Sequence, residues 1–231
     1  MSMTKWFSLF TCHSERRTAV NQFARQLARL LVRNSQETIC EDEIRYGIEV
    51  LLGSILQAVL LLAIAFWLNL FYEAVGILMA SALYRRYSGG AHCTAYYRCT
   101  LTSLITFLPL AYLAQFLLPY NNLLTVCSAG LIVLTIAWLK VPVDNPTNPI
   151  TDPIRRQELR RKSLIMAVFL IILTITLLFV YPLGSVAIMM GLLWQSITLT
   201  IPGHIYISAW DTIFLHIEKI VRKGDYYAEQ S

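Results

Sequence analysis

Where the basic residues fall constrains this chain more than any other feature. Six apolar runs, 46–69, 71–84, 100–118, 123–139, 163–180 and 183–210, are separated by short connections, with Glu49 the one charge inside the first run. All 19 Lys and Arg lie before the first run, in stretches 85–99 and 140–162, or after the last run. The intervening breaks near 69–73, 119–122 and 181–182 carry a single charge, Glu73. A helix needs about 20 apolar residues to cross the ~30 Å hydrocarbon core. Lys and Arg near short loops mark the cytoplasmic side. The pattern predicts an all-α polytopic integral membrane protein, six spans in a cell membrane, both termini cytoplasmic.

Composition agrees and removes other classes. Of 231 residues, 56% are apolar and 14% charged, against about 25% charged in a soluble domain. Mean hydropathy is +0.55, too apolar for a disordered or collagen-like chain. The formal net charge of +5 follows from the loop bias and calls for no nucleic acid. Cysteines 12, 40, 93, 99 and 127 form no C-x-x-C pair, so a disulfide framework is not expected. His13, Glu15, Arg16 and Arg17 stand where a signal-peptide cleavage site would need small residues, so the first span is expected to serve as its own insertion signal.

Before the first span, residues 18–33 repeat Val20, Phe23, Ala24, Leu27, Leu30 and Leu31 at helical spacing, with Arg25, Arg29 and Arg33 on another face. This predicts an amphipathic helix that sinks an apolar stripe into the lipid boundary or packs on the cytoplasmic loops. Between spans four and five, the alternating prolines of Pro142 to Pro153 favour an extended link, within a basic cytoplasmic loop over 140–162.

The reactive residue types concentrate after the second span. At about 14 residues that span is roughly 21 Å long, short of the bilayer core, so segment 85–99 should sit near the inner interface. It holds Arg85, Gly89, Gly90, His92, Cys93 and Cys99. Two glycines free the backbone before the imidazole. Cys99 starts a long helix, where the dipole and Arg98 favour an anion. Seven residues along a straight helix would part His92 and Cys99 by about 10 Å, too far for proton transfer, so a dyad requires a break at or just after His92. Three readings stay open on the residues alone: a Cys–His dyad, a metal site from His92, Cys93 and Cys99, and a loop histidine with structural cysteines.

These residues resemble the accessory gene regulator protein B family, the AgrB-like membrane cysteine peptidases that process quorum-sensing propeptides. The likeness rests on Arg85, then Gly89-Gly90-Ala91-His92, then Cys99 seven residues on; on Pro142, Asn145-Pro146 and Asn148-Pro149 with basic residues behind them; and on Arg45-Tyr-Gly-Ile-Glu-Val50. It covers roughly residues 20 to 210. The resemblance implies one peptidase domain with His92 and Cys99 as catalytic dyad, Arg85, Gly89 and Gly90 supporting it, and neither metal nor cofactor. It also implies a homodimer and a small propeptide substrate with an amphipathic helix and an acidic tail. Cleavage through an acyl-enzyme thioester would promote cyclisation of the peptide. Cys93 and Val141 depart from the residues usual at their positions. Cys93, adjacent to the base, is poorly placed as its partner, and its replacement by Ala is expected to be near neutral.

Arg155, Arg156, Arg160, Arg161 and Lys162 are candidate docking residues for an acidic tail, against the alternative of fixing orientation and engaging anionic lipid. Glu49 is a candidate partner for Arg85 or Arg45 and, more loosely, for substrate. His204 after Pro202-Gly203 suggests a kinked span. The competing classes are a small six-span transporter and a non-enzymatic membrane scaffold; an unusually reactive Cys99 distinguishes the peptidase from both. Single cysteines at Glu73, Asn121 and Pro182 should react with an impermeant maleimide outside intact cells, and one at Gln157 should not. Labelling of Gln157 would reverse the orientation.

Overall fold

The computed structural model describes residues 41–144 and 150–228. They form seven α-helices: α1 Glu41–Trp67, α2 Phe71–Ser88, α3 Tyr96–Leu117, α4 Leu123–Lys140, α5 Pro153–Val180, α6 Pro182–Thr198 and α7 Ile201–Ala228, with a 3-10 turn at Leu118–Tyr120. The helix expected over 18–33, the side chain of Glu49, and Asn145, Pro146, Asn148 and Pro149 lie outside the described residues. By length and composition, three helices can cross a membrane: α3 with its 3-10 turn, α4 and α5. Helices α6 and α7 provide a fourth crossing if they are one span bent by 86°. This is an all-helical membrane-type architecture, but that measure does not reproduce six crossings.

Two element boundaries correct the sequence expectation. The fifth helix begins at Pro153 instead of 163, because Asp152 accepts from Ile154 N at 2.9 Å and Pro153 fits the first helical position. Arg155 to Lys162 therefore lie on exposed helical turns, and the loop expected over 140–162 shortens. The run 183–210 is two helices, not one. The chain turns at Leu199-Thr200, where Thr200 N donates to Ile197 O at 2.9 Å. Gly203 permits the corner: a Cβ there would stand 2.1 Å from Ile197 O. His204 sits exposed on α7 just beyond the corner, where the expected kink is a bend of 86° between two helices.

The chain divides into two compact units after Leu56, and the site belongs to the second. Its centre is the pair α2 and α6, which contribute to both apolar clusters. One cluster joins Tyr84, Val133, Ala137, Leu170 and Leu192; the other joins Leu61, Ile77, Phe107, Ala111 and Ala187. Small residues let α2 and α6 approach closely. A Cβ on Gly76 would lie 2.8 Å from Ala187 Cβ, and one on Gly191 would lie 2.6 Å from Ile77 O. Ser81 Oγ donates to Gly191 O at 3.0 Å across the same seam.

At one end of the bundle, Gln115 Nε2 donates to Glu73 Oε1 at 2.6 Å, and Asn121 Nδ2 donates to Pro182 O at 3.0 Å. Glu73 is not an exposed loop residue as expected. It lies in the first turn of α2 at 3% exposure, covered where Gln115 of α3 reaches its carboxylate. Pro182 remains exposed, while Asn121 is half-buried with its amide on Pro182 O, so the labelling contrast above narrows to Pro182 against Gln157.

Candidate active site at the end of the second helix

Two glycines set the geometry. Helix α2 runs one turn beyond the expected 84 and carries Arg85 in that turn. It stops at Gly89, whose N–H caps Arg85 O at 3.0 Å. Gly89 has φ 72 and Gly90 φ 134, conformations open to glycine and strained for other residues. Space enforces the same choice: a Cβ on Gly89 would stand 2.1 Å from Val143 O, and one on Gly90 2.9 Å from Thr198 Oγ1. Val143 N donates to Ser88 O at 2.9 Å and Ala91 N to Thr198 O at 3.3 Å. The chain leaving α2 is thus pinned between the Val141–Asp144 segment and the end of α6.

Gln195 fastens this turn from within. At 1% exposure, its amide donates to Gly89 O at 2.8 Å and Ser88 Oγ at 3.2 Å, and its Oε1 accepts from Arg85 Nη1 at 3.4 Å. Arg85 Nη2 donates to Ala91 O and lies 3.1 Å from His92 Nδ1. A guanidinium can only donate, so Nδ1 is the acceptor in that contact. Arg85 therefore holds both the backbone before His92 and its ring.

The break needed to bring His92 and Cys99 together is present and begins earlier than expected. Helix α2 ends before His92, and residues 89–95 are non-helical. Cys99 lies in the first turn of α3, half-buried, where His92, Cys93 and Arg85 all act on its sulfur electrostatically. Cys93 is no bystander. Its Sγ lies 3.5 Å from Thr102 Oγ1, and its thiol is held above the usual range by its interaction with Cys99 and then by burial. Among the described residues no three His, Cys, Asp or Glu side chains form a metal-holding group.

Arg98 does not serve Cys99 as expected. Its guanidinium reaches Asp211 at 3.2 Å, Glu218 at 3.3 Å and Thr94 Oγ1 at 2.9 Å, tying the start of α3 to α7; Arg85 supplies the cation at the sulfur. Of the basic residues on α5, Arg156 pairs with Asp144 at 3.0 Å, Lys162 with Glu158 at 2.6 Å, and Arg160 donates to Trp138 O at 2.9 Å. The Arg156–Asp144 pair anchors the segment that seats Gly89. Sequence reasoning missed Gln195, Thr198, Thr102 and Asp211; Gln195 alone carried a signal, as an amide inside the apolar run of α6.

Gln195→Leu should release Arg85 and Gly89 O together, costing about 1–3 kcal/mol of stability through unsatisfied buried groups. Gln195→Glu should keep the acceptor for Arg85 but lose the amide donor to Gly89 O and Ser88. Thermal unfolding in detergent checks the order, wild type above Gln195→Glu above Gln195→Leu.

A family model described as Accessory gene regulator B matches residues 21–199. An AgrB-like protein of Clostridium perfringens is 26% identical over 185 residues, covering 74% of this chain and 86% of that protein. AgrB-like proteins of Listeria monocytogenes and Listeria innocua are 31% and 30% identical over 157 residues, covering 68% of this chain and 75% of each relative. No solved structure matches the chain.

Proposed function

The chain belongs to the accessory gene regulator B family, and from that premise we propose that it is a membrane-embedded cysteine endopeptidase that cleaves a quorum-sensing propeptide and promotes its cyclisation. The observation that carries this reading is the convergence of Arg85, His92 and Cys99 around a glycine-built reversal. Cys99 is the nucleophile. Its sulfur attacks the carbonyl at the carboxyl-terminal end of the signal sequence, forming an acyl-enzyme thioester. Arg85 exchanges His92 Nδ1 for the scissile carbonyl oxygen as substrate enters, which stabilises the developing oxyanion. The freed Nδ1 takes the thiol proton and returns it to the leaving amine of the acidic tail. Attack by a cysteine or serine side chain of the retained fragment then closes a ring and restores the Cys99 thiol.

The exposed basic turns of α5 suit the acidic tail, with Arg155 and Arg161 facing solvent. Arg156, Arg160 and Lys162, already engaged, serve mainly to hold the helix. The amphipathic helix of the propeptide docks at the lipid boundary, so enzyme and substrate meet in two dimensions. Cytoplasmic termini, six crossings, contact with anionic lipid and a homodimer complete the proposal, which needs no metal or cofactor.

Co-expression with a propeptide of this design tests it. Cys99→Ala should abolish cleavage with membrane insertion intact, and His92→Ala should lower the rate by about 10²–10⁴-fold. Gly90→Val should approach the His92 loss by opposing the reversal. Undiminished cleavage in Cys99→Ala would refute the assignment.

A further inference from the structure

Cys93 gives this site a chemistry beyond proteolysis. Resting on the reading of Cys99 as nucleophile, we infer that Cys93 and Cys99 form a peroxide-modification site in which Cys93 resolves oxidised Cys99 into an intrachain disulfide. Cys93 Sγ stands 3.5 Å from Thr102 Oγ1, one turn along α3 from Cys99, and each cysteine lies within the electrostatic influence of the other. Both cysteines are half-buried, within reach of a molecule as small as hydrogen peroxide. Cys93 lies in the non-helical stretch between Gly90 and α3, and its contact with Thr102 Oγ1 at 3.5 Å holds it over the first turns of the helix that carries Cys99. A disulfide requires the sulfurs at about 2.05 Å, so the segment that carries Cys93 must move to bring them into bonding distance. An extended segment can supply that shift, where two residues fixed in one helix could not.

The surroundings favour oxidation at Cys99 first, because Arg85 places positive charge at its sulfur. The Cys99 thiolate attacks one peroxide oxygen; the O–O bond breaks, and the departing hydroxide takes up the proton that Cys99 released, giving water. Cys99 becomes a sulfenic acid, oxidised by two electrons, and the peroxide is reduced. The Cys93 sulfur then attacks the sulfenic sulfur; an S–S bond forms, the S–O bond breaks, and the hydroxyl leaves as water with the Cys93 proton. Two thiols and one peroxide give one disulfide and two waters. The nucleophile is blocked reversibly and kept from sulfinic and sulfonic acids, which thiols do not reverse.

The test uses the full chain in detergent, with Cys12, Cys40 and Cys127 replaced by Ser, treated with hydrogen peroxide and digested with trypsin. Cleavage after Arg98 separates Cys93 from Cys99, so a disulfide appears as a linked pair of peptides. Wild type at these two positions should give the linked pair, and dithiothreitol should restore both free thiols. Cys93→Ser and Cys93→Ala should give no link and leave Cys99 as sulfinic or sulfonic acid that dithiothreitol does not recover. Over-oxidised Cys99 without a link in the Cys93-containing chain would overturn the proposal, as would equal recovery of the Cys99 thiol in both variants. The readout does not use propeptide cleavage. A reduced chain that forms the link but cleaves no propeptide upholds the thiol pair and sinks the peptidase reading alone.

Discussion

A guanidinium withdrawn from bulk water must be given acceptors, and the arrangement around Arg85 follows from that demand. It stands on the last turn of α2 and finds Ala91 O, Gln195 Oε1 and His92 Nδ1. Two of these acceptors lie on the chain just after the helix ends, so the backbone must fold back over the arginine it has just passed. Left-handed glycine conformations provide the reversal, and Gln195 ties it to α6. Losing these acceptors would leave the half-buried guanidinium under-satisfied, so the reversal serves folding as well as the site.

The helix packing beneath serves the same end. Gly76, Gly191 and Ala187 bring α2 and α6 close enough for Ser81 to bond across the seam, which puts Gln195 and Thr198 level with the end of α2. A side chain larger than glycine at 191 would separate the helices and lift the amide from Gly89 O. Stability and site geometry thus depend on one contact. On the far side of the reversal, the Arg98 ion pairs with Asp211 and Glu218 set the start of α3, and with it the position of Cys99.

The reversal was legible in the sequence because Gly-Gly before a histidine has few other uses, and the all-helical membrane class was legible in the distribution of charge. Other features were hidden for identifiable reasons. Apolarity alone joins 183–210 into one span, since nothing charged marks the corner at Leu199-Thr200; Pro202-Gly203 marks a bend there but not that it reaches 86°. The Asp152-Pro153 start signal lay inside a charged stretch read as loop. Adjacency points Arg98 at Cys99, yet successive helical residues point about 100° apart, and Arg85, fourteen positions before Cys99 in the chain, supplies the charge. Gln195 meets Gly89 through tertiary packing over more than a hundred residues of sequence, which periodicity does not encode.

In the function proposed above, a thioester on Cys99 is the step from which cleavage and ring closure would both follow. Rapid acid quenching of the full-length protein with its propeptide, followed by mass mapping, tests it most directly. The account predicts an adduct of the amino-terminal propeptide fragment on Cys99, released by hydroxylamine as a thioester should be. An adduct on Cys93, or cleavage that proceeds with no covalent adduct even when ring closure is blocked by removing the substrate's cyclising side chain, would contradict it.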